Sequence, residues 1–199
     1  MHILMVSDVY FPRINGVSTS IAAFRRELQA LGHRVTLVAP AYDDRAETDS
    51  DIVRVRGRGV WHDPEDRLMI GSDLKRALRE LEDEPFDVVH VQTPFRAHYA
   101  GTRFARRLGI PVVETYHTFF EEYFHHYVGF LPASLTRLIA RSFTRRQAAE
   151  VDLLIVPSTA MVDRLEEYGV RTRTRTLPTG LLDADYTEGD AGAFVRAFD

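Results

Sequence analysis

The sequence predicts one α/β domain of the Rossmann-like kind, a parallel sheet of about seven strands with helices on both faces. Three observations lead there. Short apolar, β-branched runs recur along the whole chain. They are continuous rather than alternating, as in strands buried on both faces. Amphipathic helical patterns separate most of them, and strand–helix alternation implies a parallel sheet with helices packed on it.

The seven runs are Ile3 to Val6, Val35 to Ala39, Ile52 to Val55, Val88 to Val91, Val112 to Tyr116, Leu153 to Val156 and, weakly, Thr172 to Leu177. The first helix is marked by Val17, Ile21, Phe24, Leu28 and Leu31, at spacings of four, three, four and three, and Gly32 stops it. Leu68 to Leu81, Ala97 to Leu108, Leu135 to Ala149 and Ala160 to Tyr168 read as further helices. Gly109-Ile110-Pro111 and Tyr168-Gly169 are stops before the next strand. No internal repeat or low-complexity segment interrupts the pattern. Leu182 to Asp199 is polar and acidic, and its end reads as the middle of a helix, as in a domain that belongs to a longer protein.

Composition narrows the function classes. With 45% hydrophobic residues and a net charge of −4, the chain is not mainly disordered. No apolar run reaches the ~18 residues that span a bilayer. The start, Met1 to Val6, has neither a basic segment nor a cleavage site and does not read as a signal peptide. The absence of cysteine excludes disulfide scaffolds, thiolate metal sites and cysteine nucleophiles, and fits a reducing compartment. Charge is uneven. Ala41 to Asp87 holds 14 acidic and 8 basic residues, a balance of −6, whereas Phe130 to Ala149 holds four arginines and no acid. The net charge, the local nature of the basic stripe and the lack of a binding motif argue against a nucleic-acid partner. No G-x-S-x-G elbow marks a serine hydrolase.

In an open parallel sheet, ligands bind beyond the C-terminal ends of the strands, and three such ends carry unusual residues. After the first strand, Asn15-Gly16-Val17 stands at the entry to the first helix. A glycine there lets a ligand approach the backbone, and free N–H groups favour an anion; the same pair also reads as a simple turn. No G-x-G-x-x-G is present, which argues against the usual dinucleotide fold. The second end runs from Glu114 to Tyr127 and is dense in His, Glu and Tyr around His117. His117 reads as a catalytic group or as a structural hydrogen-bonder. No zinc-ligand spacing is present, so no metal is expected. Glu114 and Glu122 match a known glutamate spacing, but the first lies inside a strand, so the match is taken as coincidence. The third stretch, Phe130 to Ala149, places Arg137, Arg141 and Arg145 at i, i+4 and i+8 with Arg146 beside them, opposite Leu135, Leu138, Ile139, Ser142 and Phe143. Such a helix either lies on an anionic membrane, with Phe119, Phe120 and Phe124 upstream as wedges, or packs its apolar side into the core.

Six segments in order carry a family resemblance. They are Met1 to Ser18, Leu31 to Pro40, Asp87 to Pro94, Thr115-Tyr116-His117-Thr118, Val156-Pro157-Ser158 and Leu177-Pro178-Thr179-Gly180. Nearly the whole chain resembles the N-terminal domain of a retaining GT-B glycosyltransferase of family 4, a group that includes diacylglycerol and phosphatidylinositol glycosyltransferases. His117-Thr118 followed by Glu122-Tyr123 and His126-Tyr127 is similar to the version in bacterial glycolipid glucosyltransferases. The chain departs from the pattern at Asn15, where many members have a second glycine, at Gln92, where many have histidine, and at Thr179, where many have asparagine.

The resemblance implies an acceptor-side domain over residues 1–180, with 181–199 starting a linker toward a donor-binding C-terminal domain. It implies sugar transfer with retention from a UDP- or GDP-sugar, without a cofactor or an essential metal. His117 would be catalytic. Asn15, Gly16, Val17, Glu122, Tyr123, His126, Tyr127, Ser158, Thr179 and Gly180 would contact donor or acceptor. The acceptor is expected to be a glycolipid or diacylglycerol, reached by a reversible peripheral contact with anionic membrane through Phe119, Phe120, Phe124, Arg137, Arg141, Arg145 and Arg146. A soluble sugar acceptor, or a non-catalytic membrane- or partner-binding module, is the alternative. The expected location is cytoplasmic, at the inner face of the membrane, and the chain alone is expected to be inactive.

Overall fold

The computed structural model describes residues 1–42, 47–60, 63–117 and 133–180. In chain order the elements are β1 (His2–Val6), α1 (Gly16–Ala30), β2 (Arg34–Ala41), β3 (Ile52–Val60), β4 (Asp63–Met69), α2 (Gly71–Glu80), β5 (Val88–Val91), α3 (Arg96–Leu108), β6 (Val112–Thr115), α4 (Ala133–Ala148), β7 (Leu153–Val156), α5 (Thr159–Glu167) and β8 (Thr174–Thr176). They form an eight-stranded sheet in the order β4-β3-β2-β1-β5-β6-β7-β8. The order reverses at β1, where β2 and β5 flank it, both parallel to it.

Both faces of the central strands are covered, which explains the continuous apolar runs. Ile3 and Met5 of β1 join Val35 and Leu37 of β2 in a core closed by Ile21 of α1, with Val17, Phe24 and Leu28 packed against it. The intervening Leu4 and Val6 point to the opposite core, with Leu74 and Leu78 of α2, Phe104 of α3 and Leu165 of α5. Gly101 of α3 lies so close to the sheet that a Cβ there would stand 3.0 Å from Val91 Cγ2 and 3.3 Å from Val89 Cγ1. The helix stops fall where the sequence places them. Gly32 at φ 83° follows α1, and Gly109 at φ 68° caps α3, a backbone region that glycine enters without a Cβ clash.

The expectation of about seven parallel strands needs one correction. An eighth strand, β4, runs antiparallel to β3 at the edge, with Gly57 opposite Met69 and Arg58 opposite Leu68. Leu68 therefore belongs to a strand, and α2 begins at Gly71 rather than at Leu68. The proposed 181–199 linker lies outside the described residues.

Candidate functional site

The C-terminal ends of β1, β5 and β6 converge, and polar side chains tie them together. Asp8 follows β1, and Thr93 stands just past β5. The Asp8 N–H donates to Thr93 Oγ1 at 2.7 Å, and the Thr93 hydroxyl donates back to Asp8 Oδ2 at 2.8 Å. The Asp8 carboxylate also accepts the Ala97 N–H in the first turn of α3, at 3.1 Å to Oδ2. It lies where the helix dipole favours an anion. Burial nevertheless outweighs these hydrogen bonds and pushes the Asp8 carboxyl up to about 6. Neither Asp8 nor Thr93 was singled out from sequence. Their signal is a polar residue placed one or two positions after an apolar strand.

The stapled β1 loop leads to Asn15 and Gly16. Asn15 caps α1, with its Oδ1 accepting the Ser18 N–H at 2.8 Å. The pair is thus more than a turn, because it fixes the start of a 15-residue helix. The first N–H groups of that helix, Gly16 and Val17 among them, have no intrahelical acceptor. A Cβ at Gly16 would meet nothing within 4 Å, so the backbone faces open space.

His117 follows β6 and is partly buried. Its Nε2 lies 3.0 Å from Oε1 of Gln92, the residue just after β5. Burial pushes the His117 imidazole down to about 4, so it is neutral at pH 7. Behind it on the same sheet face, His90 is fully desolvated and bonds Thr115 Oγ1 at 2.7 Å. Burial, with His117 as a second cause, takes His90 down to about 3. The Phe24 ring meets His90 edge-on at 5.4 Å. On the opposite face, buried Glu114 holds His98 Nδ1 at 3.0 Å. Glu114 therefore has a structural partner, which fits the reading of its spacing to Glu122 as coincidence.

Of the other sequence candidates, Ser158 caps α5 through the Met161 N–H at 3.3 Å, and Thr179 and Gly180 are exposed beyond β8. Phe119, Phe120, Glu122, Tyr123, Phe124, His126 and Tyr127 lie outside the described residues. Helix α4 sits beside the site. Its Gln147 donates to the Pro94 carbonyl, and Thr144 Oγ1 lies 3.4 Å from the Tyr116 hydroxyl.

The inward side of α4 is Thr136, Ala140, Thr144, Gln147 and Ala148. Leu135, Leu138 and Ile139 are exposed, Leu138 by 63%. They do not form a core, contrary to that alternative. Arg137, Arg145 and Arg146 are exposed with them, but Arg141 is withdrawn from the stripe and stacks over the Tyr168 ring at 4.9 Å. Phe95 and Tyr99, four apart at the start of α3, are about half exposed and were missed from sequence.

A groove of about 420 Å³ between Val113, Leu153 and Arg175 lies at the N-terminal ends of β6 to β8, away from this site. Among the described residues no three His, Asp or Glu side chains could hold a metal ion. No helix among them is long and apolar enough to cross a membrane.

A mostly parallel α/β sheet with helices on both faces is the architecture of the N-terminal half of a GT-B glycosyltransferase. A solved structure, Anabaena Alr3699/HepE in complex with UDP-glucose, superposes with a TM-score of 0.62 over 100% of this chain and 49% of that one, at 14% identity. That likeness establishes the fold. The profile of Glycosyltransferase Family 4 matches residues 14–182, and the chain belongs to that family.

An alpha-monoglucosyldiacylglycerol synthase of Streptococcus pneumoniae is 32% identical over 190 residues, 91% of this chain and 41% of the relative. A GDP-mannose-dependent alpha-mannosyltransferase of Mycobacterium tuberculosis is 31% identical over 174 residues, 85% of this chain and 45% of the relative. The chain thus spans less than half the length of either.

Proposed function

We propose that this chain is the acceptor-side half of a retaining glycosyltransferase that moves a hexose from a UDP- or GDP-sugar to a diacylglycerol-type or glycolipid acceptor. Residues 1–180 form that half, and 181–199 begin the connection to a donor-binding half that supplies most of the nucleotide contacts. The observation that carries the reading is the open backbone at Gly16 together with a neutral His117, both beyond the C-terminal strand ends where this fold takes its ligands.

The start of α1 supplies unpaired N–H groups and the positive end of a helix dipole to the sugar diphosphate. Charge that develops on the departing diphosphate is met by these fixed donors, with no essential metal and no cofactor. His117, uncharged, holds a hydroxyl or carbonyl next to the reacting carbon. Asn15, Gly16 and Val17 form the diphosphate side. Ser158, Thr179 and Gly180, with Glu122, Tyr123, His126 and Tyr127, contribute the remaining contacts to donor and acceptor.

The lipid acceptor is supported by the synthase relative and by the surface beside the site. Leu135, Leu138 and Ile139 are exposed together with Arg137, Arg145 and Arg146, and Phe95 and Tyr99 stand at the adjoining start of α3. Apolar side chains enter the interface, and the arginines add about 1 kcal/mol each near anionic lipid. Phe119, Phe120 and Phe124 extend the wedge, and the association is reversible and peripheral at a cytoplasmic membrane face. Arg141, stacked on Tyr168, contributes less. A soluble sugar acceptor is the second reading, favoured by the mannosyltransferase relative.

The test offers the longer polypeptide UDP-glucose or GDP-mannose, with diacylglycerol in mixed micelles or soluble sugars as acceptors. Lipid-linked product supports the first reading, water-soluble product the second, and no product from any pair contradicts both.

A further inference from the structure

Gln92 has two ends with different fates. Its Oε1 lies 3.0 Å from His117 Nε2, whereas its Nε2, with two hydrogens, is buried and has no hydrogen-bond partner among the described residues. The whole side chain is only 1% exposed. Buried amide groups are nearly always paired, because an orphaned donor loses its hydration with nothing in return. Such a group is tolerated where a ligand completes it.

The first contact has a consequence for the imidazole. An amide oxygen only accepts, so His117 Nε2 carries the hydrogen. In a neutral ring the other nitrogen, Nδ1, then holds a lone pair. Among the described residues the neighbouring titratable group on this face is His90, itself neutral and engaged with Thr115. Among the described residues burial is what lowers the His117 proton affinity, and no carboxylate there contributes.

We propose that Gln92 is a positioning residue for the transfer reaction: it locks His117 in the Nε2–H tautomer, so that Nδ1 accepts a hydrogen bond from a sugar hydroxyl, and its free amide hydrogens take a second oxygen of the same substrate. This rests on the glycosyl-transfer reading and narrows it. Of the hydroxyl or carbonyl that His117 was expected to hold, only a hydroxyl can donate to Nδ1. The amide and the imidazole thus form one unit in which a donor and an acceptor face a sugar, the pairing that an –OH and a ring or phosphate oxygen require.

The test has two arms. The first reads protonated against bare ring nitrogens by two-bond proton–nitrogen correlation in the 199-residue chain at pH 7, with no substrate. His117 is expected as the Nε2–H tautomer, and Gln92→Leu is expected to redistribute the ring between tautomers while the other imidazoles keep their signals. An Nδ1–H ring in the native chain, or an unchanged ring in Gln92→Leu, overturns the proposal. This arm does not depend on transfer, so it still judges Gln92 if the longer polypeptide transfers nothing.

The second arm compares pH–rate profiles of the longer polypeptide. Gln92→Leu lowers kcat about tenfold or more at every pH. Gln92→Glu keeps an acceptor but adds a negative charge, which raises the His117 pKa. Its kcat falls in acid and recovers as pH rises, while KM stays raised because a carboxylate cannot donate. A structural role alone would not produce a pH-dependent recovery confined to Glu. Equal, pH-independent loss in both variants overturns the proposal.

Discussion

Gly16→Ala separates a residue needed by the fold from one needed by a ligand. Gly16 is the first residue of α1, and its φ is not positive. A Cβ built there touches nothing within 4 Å. The added methyl therefore meets no protein atom, and it removes some freedom from the unfolded chain. The change in stability should lie between zero and a gain of about 1 kcal/mol. The ligand side behaves differently. A methyl projects roughly 1.5 Å from Cα, into the space that a phosphate oxygen at ~2.9 Å from the backbone N–H would occupy. Losing one charge-assisted hydrogen bond of about 1.5–3 kcal/mol weakens donor binding about ten- to hundredfold. Thermal unfolding of the chain and KM for the nucleotide sugar in the longer polypeptide are the two assays. An unchanged KM would refute the approach of the diphosphate to this backbone. A loss of stability above about 1 kcal/mol would refute the local geometry.

Three further predictions follow from particular contacts. Gly101→Ala drives a Cβ to 3.0 Å from Val91 Cγ2 and should destabilise the chain by about 1–3 kcal/mol in urea; an unchanged midpoint would show that α3 can lift off the sheet at no cost. Asp8 holds its proton more tightly when folded, up to about 6 against 3.8, so its contribution to stability is greatest below pH 3.8 and falls as pH rises to 6. The full swing is at most about 3 kcal/mol at ~1.4 kcal/mol per pH unit. The stability difference between native chain and Asp8→Asn should therefore move in favour of the variant over that window and stay flat above it, and a pH-independent difference would contradict the burial argument. For the membrane face, liposomes with anionic lipid should float the chain at low salt and release it at high salt. Flotation should weaken when Arg137, Arg145 and Arg146 become glutamine or when Leu138 becomes glutamate. Binding that ignores all four changes would place the contact elsewhere.

Much of the fold was legible because the central strands are buried on both faces. Ile3 to Val6 and Val88 to Val91 read as strands at once, since α1 and α3 cover opposite sides of them. Strand β4 was not legible. Its residues Asp63, Glu65, Asp66 and Arg67 carry charge and no β-branching, as suits an edge, and its existence depends on pairing with the glycine-bearing end of β3. The same edge hid Leu68, whose spacing fitted the helix that follows. Asn15, Gly16 and His117 were readable as candidates from position relative to the strands. The Asp8–Thr93 staple and the Gln92–His117 pair were not, because each joins residues that only the β1–β5–β6 order brings together. Leu135 to Ala149 was legible as a helix, but sequence could not show that Arg141 turns onto Tyr168 while Leu138 turns out.

The proposed function has this chain present His117 to a sugar undergoing transfer. It is tested most directly by comparing hexose transfer from UDP-glucose or GDP-mannose in the longer polypeptide and its His117→Ala variant, with the fold of each checked by circular dichroism. The expected result is a loss of about a hundredfold or more in kcat with the fold intact. Full activity in His117→Ala would contradict this and remove His117 from the chemistry.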